Sequence, residues 1–195
     1  GANTGIGFEV HDGLITCAYT GRTIAPDRSQ HPDGWCTLLD GSVESCSFNT
    51  EHLWPQSQLV PPEDPIGRAD LHHLLPTWDV ANNRRSNYPF GEPLCVDVDC
   101  EWAEAGSKLG LDGAGRRVFE VRQAYRGDVA RAMFYMSVRY TLALDDASEA
   151  VLRRWHDEDP VSDEESVRHE VVESLQHNRN PFVDRPDFVD FNANF

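Results

Sequence analysis

The rhythm of hydrophobic and polar positions changes between the two halves of the chain. Residues 6–25 alternate loosely and are broken by "DG" and "TGR", which predicts one or two strands joined by tight turns. Residues 26–42, rich in Pro, Asp and Gly, predict a loop, and 43–52 a strand. "LVPPEDPIG" (59–67) is too irregular for either element. "ADLHHLLP" then reads as a second short strand stopped by Pro76, and "TWDVANNRRSN" as a short helix opening at Thr77 or Asp79.

The second half has a helical period. Val129, Met133, Met136 and Tyr140 recur at spacings that predict a core-facing stripe. Asp146 with Glu149 has the form of a capping box ahead of "AVLRRW", and Ser162 with Glu165 repeats it ahead of Val167, Val171 and Leu175. Pro160 and Pro181 are expected to end these segments. Strands first and helices later predict an α+β fold. No internal repeat or low-complexity linker divides the chain, so 1–195 is expected to form a single domain.

Composition narrows the class. A chain of 195 residues with 39% hydrophobic and 26% charged positions can bury a substantial core and is not disordered in character. No apolar run approaches the roughly 20 residues that span a bilayer, so no membrane partner is expected. The chain begins at Gly1 rather than Met, and an export signal is expected to have been removed. The five cysteines (Cys17, Cys36, Cys46, Cys95, Cys100) suit an oxidising compartment, with one or two disulfides and one thiol left over. Cys95 and Cys100, flanking "VDVD", are the easiest local pair.

The net charge of −16 opposes a polyanionic partner. Its distribution softens the objection. Residues 113–140 hold six arginines (Arg116, Arg117, Arg122, Arg126, Arg131, Arg139) against Glu120 and Asp128, while 141–195 holds fourteen acids against five arginines. A basic patch on an acidic body is compatible with nucleic acid. Lys108 is the one lysine among seventeen basic residues, so positive surface is built from guanidinium forks suited to phosphate. An acidic, lysine-poor chain also fits life in high salt.

"FNTEHLWPQSQ" (48–58) sets Glu51 against His52 and turns at Pro55. Alone it is a polar strand end; it also places a carboxylate ligand beside a general base. With "DLHHLLPT", "NNRRSNYPFG", "GDVARAMFYMSVRY" and "HNRNPFVDRP" following in order, the chain from about residue 15 to residue 188 resembles the bacterial endonuclease I family, which are periplasmic and secreted ββα-metal (His-Me finger) nucleases.

The resemblance implies a ββα-metal core at about 43–90 and a mainly helical part at about 120–180. It makes His52 the general base and Glu51 and Asn82 the ligands of one divalent metal, with Asn83 as the adjacent alternative. The ion is expected to be Mg2+, with Mn2+ or Ca2+ as alternatives. His73 falls where the family braces the loop that carries the base. In a strand His72 and His73 would point to opposite faces, so at most one faces the site.

Other roles are left open by the residues themselves. Asp70 either satisfies nearby backbone or orients an imidazole. Arg85 either reaches a phosphate oxygen or ties its helix to a carboxylate, and Arg84 faces solvent. Arg68, Arg126 and Arg131 are candidates for phosphate contact, the last two with a structural ion pair as the alternative. Asp97 and Asp99, in an extended stretch, read as a polar loop in preference to a calcium site. Structural zinc on His72 or His73 with Cys95 and Cys100 is disfavoured by the cysteine spacing.

The expected protein is a secreted or periplasmic, monomeric endonuclease with little sequence preference, cutting DNA and RNA to 5′-phosphate ends. Alternatives are a secreted ribonuclease that largely spares DNA, and a non-catalytic nucleic-acid-binding protein on the same scaffold.

Overall fold

The computed structural model describes residues 10–11, 14–25, 35–59 and 64–195. Residues 6–9 and the "DG" at 12–13 of the N-terminal alternation, 26–34 of the expected loop and 60–63 of the Pro-rich stretch lie outside them. Among the described residues the N-terminal alternation becomes three short strands, β1 (Val10–His11), β2 (Leu14–Thr16) and β3 (Thr23–Ile24). They run on through β4 (Trp35–Thr37) and β5 (Val43–Ser45) as a five-stranded antiparallel sheet. The stretch 43–52 is two strands, not one. After β5, β6 (Phe48–His52) leaves that sheet to pair with β7 (Leu74–Trp78). A disulfide between Cys36 and Cys46, Cα atoms 5.8 Å apart, ties β4 to the residue ahead of the break.

The histidine-bearing segment is not the strand expected for it. Helix α1 (Pro65–Ala69) opens on Asp64, whose carboxylate accepts from the Ile66 and Gly67 N–H groups at 3.1 Å. A 3₁₀ turn (Leu71–His73) follows, capped by Asp70, and β7 begins only at Leu74. Pro76 does not stop β7. It lies opposite Thr50, and its carbonyl points away from β6 to accept from Ala18 N–H at 3.0 Å. Its nitrogen therefore also faces away from β6, where no ladder bond is lost.

Helix α2 (Asp79–Arg85) follows β7 without a loop. A third sheet, β8 (Trp102–Glu104), β9 (Ser107–Leu111) and β10 (Arg117–Glu120), was not foreseen in the sequence. Ala105 and Gly106, both at positive φ (51° and 90°), make the turn between its first two strands. Asp97–Asp99 form a 3₁₀ turn, not an extended stretch. Cys95 and Cys100 are disulfide-bonded and so are not available as zinc ligands.

The helical half comprises α3 (Arg126–Tyr140), α4 (Asp146–Glu158), α5 (Asp163–Gln176), α6 (Pro181–Asp184) and α7 (Phe188–Phe191). Val129, Met133 and Met136 are buried on α3, with Tyr140 packed at the margin of the core. Helix α4 is capped by Asp145, which accepts from Ser148 N–H at 3.1 Å, one residue ahead of the expected box. Ser162 caps α5 through Glu165 N–H at 3.0 Å, as its spacing predicts. Pro181 opens α6 and does not close a helix.

Of the apolar residues that follow the Ser162 cap, Val171 is half-buried and the other two face outward. Val167 and Leu175 are exposed, and the helix buries Glu165, His169 and Val172. The reason lies on α3. Arg131 is fully buried, and Glu165 takes its Nε and Nη2 at 2.8 and 2.6 Å. A buried guanidinium without a carboxylate costs more than an exposed valine, so the ion pair sets the rotation of α5.

Asp159 fixes the start of α3. Its carboxylate accepts from Gly127 N–H at 2.9 Å, and a Cβ on Gly127 would lie 1.9 Å from the Asp159 carbonyl oxygen. Gly127→Ala is therefore expected to destabilise the protein by about 2–3 kcal/mol. Urea denaturation should show a lower midpoint at an unchanged slope; an unmoved midpoint would contradict this packing.

Candidate active site

The end of β6, the 3₁₀ turn Gln56–Gln58 and helix α2 enclose an open polar cleft of about 330 Å³. Glu51, His52, Gln56, Asn82, Arg85 and Asn87 are among its lining residues. Pro55 turns the chain at the strand end, and Asn87 Nδ2 holds the turn by donating to Ser57 Oγ at 3.3 Å.

Glu51 is 2% exposed. Its Oε1 accepts from Tyr19 Oη at 2.9 Å and from Arg85 Nη1 at 2.8 Å. Among the described residues Oε2 takes no hydrogen bond. Burial raises the carboxyl pKa, and Arg85 and Tyr19 pull against it. Burial, reinforced by the neighbouring carboxylate, also drives Tyr19 well above the usual phenol value, so Tyr19 stays a donor.

Arg85 is 1% exposed and lies over the Phe90 ring at 4.5 Å. It also donates to the carbonyls of His52 (3.1 Å) and Leu53. Of its two possible roles, the tie to a carboxylate is the one seen. Tyr19 was missed from sequence because a buried tyrosine in a turn of the first sheet carries no local mark of a partner at position 51.

The His52 ring is half-buried and held at both nitrogens. Nε2 lies 3.1 Å from the Arg68 carbonyl, which can only accept, so Nε2 carries the hydrogen. Nδ1 then holds the lone pair, and Gln56 Nε2 donates to it at 3.1 Å. Burial lowers the His52 pKa below the ordinary imidazole value.

His73 meets that ring edge-on at 5.4 Å, is fully buried, and donates from Nε2 to the Gly67 carbonyl at 2.9 Å. Burial, with His52 alongside, lowers its pKa to about 4, so it is neutral. His72, also lowered to about 4 by burial, leaves the cleft and packs on Tyr135 at 4.6 Å.

Asp70 joins the histidine turn to the helical half. Oδ1 accepts from His72 N–H (3.0 Å) and Gln176 Nε2 (2.9 Å), and Oδ2 from the hydroxyls of Tyr135 and Tyr140 (2.7 Å each). Burial would raise its pKa, but these hydrogen bonds outweigh it and the net shift is downward. These contacts hold backbone and helices; none is to an imidazole.

Asn82 stands one turn into α2. Its Nδ2 donates to Asn49 Oδ1 at 2.8 Å and to the Thr50 carbonyl at 3.5 Å. This turns Oδ1 the other way, without a hydrogen bond among the described residues. Asn83 is exposed and does not line the cleft. Glu51 and Asn82 both line the cleft, and each keeps one oxygen without a hydrogen bond among the described residues, a donor set that fits a divalent cation keeping most of its water.

The remaining arginine candidates change role. Arg68 contributes its carbonyl to His52, while its side chain is exposed and does not line the cleft. Arg131 is buried against Glu165 and cannot reach a phosphate. Arg126 is paired with Glu120 and with Glu158 at 3.5 Å. Arg116 pairs with Asp112 and Asp145, and Arg117 with Glu101. The arginine run is thus largely spent on internal ion pairs and does not form the expected phosphate groove.

With this geometry in place, the chain matches the Endonuclease I family over residues 19–187, and it belongs to that family. It is 35% identical over 161 residues to an extracellular ribonuclease of Bacillus subtilis (strain 168), covering 73% of this chain and 53% of that protein. It is 34% identical over 166 residues to an extracellular ribonuclease of Bacillus amyloliquefaciens, at the same coverage. A periplasmic deoxyribonuclease of Aeromonas hydrophila is 28% identical over 122 residues, 60% of this chain and 48% of that protein. The chain spans about half the length of the curated relatives it matches.

Proposed function

We propose that the protein is an exported endonuclease that hydrolyses phosphodiester bonds in RNA and DNA, and that β6, β7 and α2 are its ββα-metal core. The observation that carries this reading is the His52 lone pair at Nδ1 in a cleft that Glu51 and Asn82 also line. Glu51 and Asn82 would hold one divalent cation, Mg2+ in the first instance. When bound, that cation supplies charge neutralisation to the phosphoryl group and to the leaving oxygen.

The chain's own residues do the rest. His52 Nδ1 takes a proton from water as the water oxygen bonds to phosphorus. The bond from phosphorus to the 3′ oxygen breaks, and that oxygen takes a proton from solvent, leaving a 5′-phosphate. Arg85 and Tyr19 keep Glu51 Oε1 occupied and so leave Oε2 for the cation. The polar cleft suits phosphate and sugar contacts, from which little sequence preference follows. Export is supported by the two disulfides and by the extracellular and periplasmic relatives.

RNA carries the greater weight as substrate, since the two Bacillus relatives, at 35% and 34% identity, are named ribonucleases. The test is digestion of plasmid DNA and of structured RNA with Mg2+ and with excess chelator. Cleavage of RNA at least as fast as DNA, lost on chelation and restored by Mg2+, is expected. Undiminished cleavage under chelator would overturn the metal role, and no cleavage of either polymer would favour a binding protein.

A further inference from the structure

Gln56 occupies the atom of His52 that the proposed reaction uses. Its amide N–H donates to Nδ1 at 3.1 Å while the Arg68 carbonyl takes the hydrogen on Nε2 at the same distance. A neutral imidazole has one N–H and one lone pair, so a donor at one nitrogen and an acceptor at the other admit one tautomer in one ring orientation. A ring carrying hydrogen on Nδ1 would set donor against donor, and a flipped ring would lose both partners. The turn that bears Gln56 is itself fixed, by Pro55 on one side and by the Asn87 to Ser57 contact on the other.

We propose that Gln56 is a positioning residue that holds His52 with its Nδ1 lone pair aimed into the cleft and then orients the attacking water. The inference rests on His52 acting as the base. When water enters between the two side chains, Gln56 Nε2–H donates to the water oxygen and one water O–H donates to Nδ1. One lone pair on that oxygen remains for phosphorus. The proton moves to Nδ1 as the new P–O bond forms and the bond to the 3′ oxygen breaks. Gln56 supplies no proton and is unchanged at the end.

Two variants test the assignment. Gln56→Ala removes the donor; Gln56→Glu keeps the length but can only accept. Both are expected to lower kcat by about tenfold with KM within about twofold, because the base is misaimed while phosphate contacts remain. The second readout needs no turnover. Nitrogen-15 spectra of His52 in metal-free protein should show a single Nε2–H tautomer in the parent, a mixture in Gln56→Ala, and hydrogen on Nδ1 in Gln56→Glu. A kcat within about twofold of the parent in both variants, or an unchanged tautomer, overturns the proposal. If the His52→Ala variant is inactive while the Gln56 variants behave like the parent, only this inference fails. If His52→Ala is active, the base assignment fails, and the spectra still decide whether Gln56 sets the tautomer.

Discussion

Replacing His52 with alanine is expected to lower kcat/KM on nucleic acid by about 10²- to 10⁴-fold, the contribution of a well-placed general base. Stability should change little, since the ring is half-buried and its partners are a carbonyl and an amide that water can satisfy. The pH profile of the parent gives a second test. His52 must be neutral to accept a proton, and burial lowers its pKa, so the acid limb of kcat/KM should lie below the ordinary imidazole value of about 6.5. A cation on Glu51 would push it in the same direction. An acid limb at or above that value, or a folded His52→Ala variant with near-parental rates, would remove His52 from the chemistry.

Arg85→Met should be the most damaging single change to both stability and activity at the site. Arg85 faces the Glu51 carboxylate at 2.8 Å and bridges the carbonyls of His52 and Leu53. Both partners are almost fully buried, with side-chain exposures of 2% and 3%. Removing the guanidinium leaves a carboxylate with no counter-charge, for a loss of about 3–5 kcal/mol. Glu51, whose pKa burial already raises, is then expected to take up a proton and lose its value as a cation ligand. Chemical denaturation and the Mg2+ dependence of cleavage measure the two effects. A variant within about 1 kcal/mol of the parent, with the same Mg2+ requirement, would show that Arg85 does not organise this site.

The Glu51–His52 pair could be read locally because it closes a short strand just ahead of a proline turn. "EH" ahead of Pro55 marked the strand end, whereas Asn82, with Asn83 as the alternative, came from the resemblance to the Endonuclease I family. What escaped was set by distant partners. Tyr19 reaches Glu51 from the first sheet, and the histidine segment became a 3₁₀ turn because Asp70 caps it while two tyrosines and Gln176 anchor Asp70. The exposure of Val167 and Leu175 on α5 has the same origin, since Arg131 on another helix draws Glu165 inward. Four of the arginines counted as a phosphate patch (Arg116, Arg117, Arg126 and Arg131) are each matched by at least one acid sixteen or more residues away. Periodicity sees hydrophobic burial; it does not see a charge that must be answered from elsewhere.

The Asp70 hub makes the β6–β7 pair that carries the proposed site poorly portable. A segment cut to 43–90 would keep every proposed donor yet strip Asp70 of Tyr135, Tyr140 and Gln176, orphaning a carboxylate beneath the very turn that presents His73 to His52. Transplanting the chemistry onto another scaffold therefore means carrying α3 and the end of α5 along with it. The minimal unit of the proposed site is nearer the whole fold than the motif that advertises it.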